Sequence, residues 1–171
     1  MRINFFILLI LVFWASCQSC FLGKTQTVTK EQAWTKAIDF AQTNLEKNGK
    51  LMQQADGFAY IKVDDAYIHD LYPLLDLDKD FKEPPYFRRP NAPGAHISVF
   101  YENENIKVQE VGESFSFTLR NIEVVKVGKN KTYIVLVVDA PKLEQLRKKY
   151  GLTPKLKNHE FHITIAKKLS H

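Results

Sequence analysis

Cysteine is nearly absent: the chain has two, Cys17 and Cys20, both within its first twenty residues. From residue 21 onward there is no thiol, which excludes a disulfide framework, a cysteine-ligated zinc site and a cysteine nucleophile from the body of the protein. Glycine and proline number only seven each in 171 residues, so collagen-like and low-complexity classes are excluded. No charge sign dominates. Lys and Arg total 24 against 19 Asp and Glu, a net +5 that suits anionic ligands but falls short of a nucleic-acid coat. What is present, 45% hydrophobic and 25% charged residues, is ordinary globular composition, enough for one domain and too little for two large ones.

One long apolar run exists, and it is at the start. Arg2 precedes Ile3 through Ala15, and the run ends in Ala15-Ser16-Cys17-Gln18-Ser19-Cys20. It is too short to span a bilayer comfortably but matches the basic and hydrophobic regions of a secretory signal peptide. Residues 1–20 are therefore expected to be a sorting signal, with 21–171 as a single exported domain, periplasmic or secreted. Trp14-Ala15-Ser16-Cys17 also fits a lipobox, with Cys17 lipidated. Trp14 stands where an aliphatic residue is usual, so simple export ranks above lipid anchoring. A buried N-terminal helix is the third reading.

The remainder alternates helical and extended patterns. Thr29 and Gln32 form a capping box ahead of Ala33, Trp34, Ala37, Ile38, Ala41 and Leu45 at helical spacing, with Gly49 expected to end the helix. Strands are expected at 58–63, 95–101, 114–119, 122–127, 132–138 and 160–166, with a short helix from Asp65 to Leu75. Gly128 to Lys131 reads as a hairpin turn. Pro141 opens a helix whose apolar face is Leu143, Leu146 and Tyr150, with Arg147-Lys148-Lys149 on its solvated side. The fold class is α+β with mostly antiparallel strands.

Two tetrapeptides carry chemistry: His96-Ile97-Ser98-Val99 and His162-Ile163-Thr164-Ile165. On a strand, alternation turns His and the hydroxyl residue to one face and the two aliphatics to the other. Two such strands facing each other would surround a ligand with two imidazoles and two hydroxyls. One imidazole can act as general base and its counterpart as general acid. Ser98 and Thr164 can donate hydrogen bonds to phosphoryl oxygens, and no metal or other cofactor is needed.

Paired in this way, the motifs resemble those of the two-histidine (2H) phosphoesterase superfamily, which includes LigT-like RNA cyclic phosphodiesterases. The resemblance covers residues 55–168, including the strand pair around Gly128 and the helix from Pro141 to Tyr150. It implies a pseudo-symmetric two-lobed fold around a central groove, one motif from each lobe. It also implies a hydrolase acting on 2′,3′-cyclic phosphates or related RNA and nucleotide phosphodiesters. His96 and His162 would be the acid and base, and Ser98 and Thr164 would hold the phosphate. The partner is then a nucleotide or an RNA end, and the protein is expected to be a monomer.

Other residues carry weaker signals. Arg88 and Arg89, in the Pro-rich loop ahead of the first motif, are candidate substrate contacts, as is Tyr133. Tyr101 is a candidate for stacking on a base, whereas Phe161 reads as core. His69 reads as a local hydrogen-bonding residue. His159 and His162 have metal-ligand spacing for a helix, but on a strand they would point to opposite faces. Two alternatives to catalysis stay open: a nucleotide or RNA-end binding module on the same fold, and an envelope protein using it as a scaffold.

Overall fold

The structure, a computed structural model, describes residues 29–88 and 91–169. The segment expected to be a sorting signal, with Cys17, and Arg89 lie outside the described residues. Thr29 opens helix α1 (Lys30–Asn44): its hydroxyl accepts from the Gln32 amide, and the Gln32 side chain accepts from the Thr29 amide. Ala33, Ala37 and Ala41 form the buried stripe, small residues that bring the helix close to the sheet. The helix ends at Leu45, whose backbone is already extended.

Gly49 does not end the helix. It lies inside strand β1 (Asn48–Gln53), paired with β2 (Ala59–Lys62). A Cβ at Gly49 would fall against the Lys62 carbonyl and the Ile61 side chain. Glycine is needed there for close strand approach, not for a turn.

The helix expected from Asp65 to Leu75 is interrupted. Helix α2 (Ala66–His69) gives way to a 3₁₀ turn over Tyr72–Leu75, because Pro73 has no amide to continue the ladder. Strand β3 (His96–Phe100) follows the Pro-rich loop. The next extended region divides earlier than its sequence suggests, into β4 (Ser114–Ser116) and one long strand β5 (Thr118–Val127). Buried Phe117 makes the break, its amide bonded to the Lys47 carbonyl. Strand β6 (Lys131–Asp139), helix α3 (Pro141–Lys149) and strand β7 (His162–Leu169) complete the chain. Arg147 is not on the solvated side of α3. It is buried, whereas Lys148 and Lys149 are exposed.

All seven strands form one antiparallel sheet in the order β4-β1-β2-β3-β7-β6-β5, curled into a half-barrel. The middle strand, β3, and its neighbour β7 are the two motif strands. On one face Ile61, Ile97, Val99, Leu136, Ile163 and Ile165 pack with Ala37 and Ala41 of α1, Ile68 of α2, and Leu143 and Leu146 of α3 in a single core. Each fully buried aliphatic contributes about 1.5–3 kcal/mol, so the core anchors both motif strands firmly. The opposite face carries the polar residues of both motifs. Among the described residues, no helix is long and apolar enough to cross a membrane.

Candidate active site

Ile97 pairs with Ile163 across β3 and β7, and both are fully buried. Alternation then sends His96, Ser98, His162 and Thr164 to the opposite face of the sheet. The motif strands are neighbours in one sheet and not opposed walls, as the sequence had suggested. The antiparallel register sets His96 beside Thr164 and Ser98 beside His162, at the ~5 Å spacing of cross-strand neighbours. The arrangement has an approximate two-fold axis through the isoleucine pair. Four functional groups thus share one patch of sheet.

Both imidazoles are held in the same way. The Nδ1 of His96 lies 2.7 Å from the Gly94 carbonyl oxygen, and that of His162 lies 2.8 Å from the Glu160 carbonyl oxygen. A carbonyl can only accept, so Nδ1 carries the proton. Each Nε2 is left with a free lone pair in the neutral ring. Behind His96 the backbone is braced. Asp65 accepts a hydrogen bond from the Ala95 amide and pairs with Lys62. Gly94 has φ of +63°, and a Cβ there would strike the Asp65 carboxylate and the Lys62 ammonium. Only glycine can present this carbonyl to His96 without displacing the brace.

The two histidines differ in surroundings. His96 is only 8% exposed, with the rings of Tyr86, Tyr60 and Phe58 centred 4.7, 5.5 and 5.8 Å away. Burial pushes its pKa down to about 4, opposed by the Gly94 carbonyl and reinforced by Lys62 and His162. Lys62 occupies the neighbouring position in register on β2. Burial also lowers the pKa of His162; the Glu160 carbonyl works the other way, His159 lowers it and the Glu123 carboxylate raises it. Matched motifs therefore carry unmatched electrostatics: an aromatic wall and a cation at one, a carboxylate within range of the other.

Of the remaining sequence candidates, Tyr133 lies close enough to Tyr86 and Tyr101 to act on their titration. Arg88 is exposed on the Pro-rich loop. His69 bonds locally, its Nδ1 3.2 Å from Glu83 Oε2. His159 is exposed in the turn before β7, its amide bonded to the Leu156 carbonyl, and Phe161 is core. Sequence reasoning missed Phe58, Tyr60 and Tyr86. Tyr60 was findable, since it pairs with Ser98 and shares its face by alternation. Tyr86 sits in a loop with no period, so nothing local pointed to it. Beside Tyr60 opens a cleft of about 570 Å³, lined by Gln53, Gln54, Asp56, Asn91 and Ala92.

A family profile described as "Swiss Army Knife, 2H phosphoesterase domain" matches residues 59–171, from β2 through the second motif. No curated protein and no solved structure matches the chain. The matched span is well over half the sequence and contains both histidine strands, so the chain belongs to the 2H phosphoesterase family.

Proposed function

We propose that this protein is a metal-independent phosphodiesterase for 2′,3′-cyclic phosphates or related nucleotide and RNA-end phosphodiesters, with His96 as general base and His162 as general acid. The observation that carries this reading is the matched pair of imidazoles on one face, each tied through Nδ1 and flanked by a hydroxyl from the other strand. The family assignment supports the reaction class.

The phosphodiester lies over Ser98 and Thr164, whose hydroxyls donate to its non-bridging oxygens. Nε2 of His96 takes a proton from water as the water oxygen bonds to phosphorus. Nε2–H of His162 gives a proton to the departing ribose oxygen as the P–O bond breaks. A phosphomonoester results, and solvent exchange resets both rings. Charge grows on the phosphoryl oxygens in the transition state, where the hydroxyl donors act most strongly. Burial lowers the pKa of both rings, and at His96, with Lys62 reinforcing it, to about 4; this bias of His96 toward the neutral ring is the basis for making it the base.

The purified chain is expected to hydrolyse 2′,3′-cyclic nucleotides in EDTA; turnover that vanishes on chelation would defeat the metal-free mechanism. His96→Ala and His162→Ala should each lower kcat by ~10²–10⁴-fold, with the double variant little worse. A p-nitrophenyl diester, whose leaving group needs no acid, separates the roles. On it His162→Ala should recover most of its rate and His96→Ala should not, and the reverse pattern would exchange the two assignments. The apolar run from Ile3 to Ala15 supports an exported enzyme. The mass of the mature N-terminus distinguishes simple cleavage from a diacylglyceryl group on Cys17.

A further inference from the structure

We propose that Tyr86 is a substrate-contacting residue of this groove, a third hydroxyl that donates to a phosphoryl oxygen beside Ser98 and Thr164. The inference rests on the phosphodiesterase reading above and adds a group that lies outside both motifs.

Tyr86 enters from the Pro-rich loop and touches both half-sites. Its ring stands nearly edge-on to the His96 imidazole, centroids 4.7 Å apart with the planes at 66°. The Thr164 side chain lies close enough to the Tyr86 phenol to lower its pKa against the effect of burial. The backbone ties it in again. The Tyr86 carbonyl accepts the Gly94 amide at 3.1 Å, and the Gly94 carbonyl is the group that orients His96. One residue thereby links the first histidine to the second hydroxyl.

The hydrogen-bond inventory allows a third donor. Thr164 and Tyr86 each carry one hydroxyl proton and can also accept, so with a phosphate bound both protons are available to it. Tyr86 then adds a third donor to those of Ser98 and Thr164. Burial raises the Tyr86 pKa and keeps the phenol protonated at any working pH.

The experiment separates this role from that of an aromatic wall. Wild-type protein, Tyr86→Phe, Tyr86→Ala, Thr164→Ala and the Tyr86→Phe/Thr164→Ala double variant are compared in two assays. One is turnover of a 2′,3′-cyclic nucleotide; the other is titration with inorganic phosphate, read from the histidine ring signals by NMR. Tyr86→Phe retains the ring, so its melting temperature and the His96 titration should match wild type. Its kcat and phosphate affinity should each fall by ~10–100-fold, the scale of one hydrogen bond to a charged oxygen. The double variant should lose less than the product of the single losses. Tyr86→Phe equal to wild type in both assays, with only Tyr86→Ala impaired, would make Tyr86 a wall and overturn the proposal. A wild-type protein that neither binds phosphate nor turns over would overturn the phosphodiesterase reading and this inference with it.

Discussion

An imidazole with Nδ1 committed to a carbonyl has one nitrogen left for chemistry, and burial decides how long that nitrogen stays unprotonated. For His96 it stays so down to about pH 4, because Tyr86, Tyr60 and Phe58 exclude water and Lys62 repels an added proton. The same fact links to stability. The folded pKa lies below the ordinary 6.5, so as pH falls the unfolded chain takes up this proton first. The contribution of neutral His96 is fully present above about pH 6.5 and is lost as pH falls toward 4, by roughly 3 kcal/mol. Chemical denaturation at pH 7.5 and pH 4.5 should show this difference, reduced in His96→Gln. With the pKa of His162 also lowered, the bell-shaped kcat/KM profile should peak on the acid side of neutrality and report the coupled pair. A maximum above pH 8 would contradict the roles assigned to the two rings.

At the scale of elements, two glycines set where strands can lie. Gly49 lets β1 close on β2, and β4 pairs in turn with β1, so that edge of the sheet depends on a missing side chain. Gly49→Ala should cost ~1–3 kcal/mol by overpacking, measured as a lowered melting temperature. It should leave the kcat of the folded fraction near wild type, since β1 is two strands from His96. Gly94→Ala is expected to behave differently. Its positive φ and its contact with the Asp65–Lys62 brace mean that a methyl group displaces the carbonyl holding His96. Turnover should fall well beyond what any loss of folded protein explains, and the His96 ring signals should shift. Equal behaviour of the two variants would show that the carbonyl contact does not matter.

Across the whole molecule, buried Arg147 ties separate parts of the chain together. Its Nε donates to the Thr153 carbonyl at 2.9 Å and its Nη1 to the Val99 carbonyl at 2.6 Å. Nη1 and Nη2 reach Glu104 at 3.1 and 2.8 Å, while Glu104 also accepts the Tyr101 amide. Helix α3, the end of motif strand β3 and the turn after it are therefore joined through one guanidinium. Arg147→Ala would leave Glu104 and two carbonyls without their donor, an expected loss of ~3–5 kcal/mol in denaturant unfolding. Arg147→Ala combined with Glu104→Ala should cost less than the sum of the two single changes, because each single change strands the other partner.

Local chemistry was legible from residue order alone. The capping box at Thr29, the hairpin at Gly128 and the two His–aliphatic–hydroxyl–aliphatic strands each depend on contacts within a few residues or on a period of two, and the structure contains all of them. That both isoleucines would be buried, and that His96 and Ser98 would share a face, followed from alternation. Other features depended on residues far apart in sequence. Gly49 reads equally as a helix stop or a strand residue until the Lys62 carbonyl is known to lie against it. Arg147 reads as solvated until Glu104, 43 residues earlier, supplies its counter-charge. The side-by-side placement of β3 and β7, and the arrival of Tyr86 between His96 and Thr164, have the same origin. The sequence by itself determined which residues could do chemistry and which face of a strand they occupy, since both follow from covalent connectivity. The tertiary structure decided which of them meet, which are dried out by aromatic rings, and hence how burial lowers the pKa of each histidine, because burial and cross-strand register come from distant segments packing on one core.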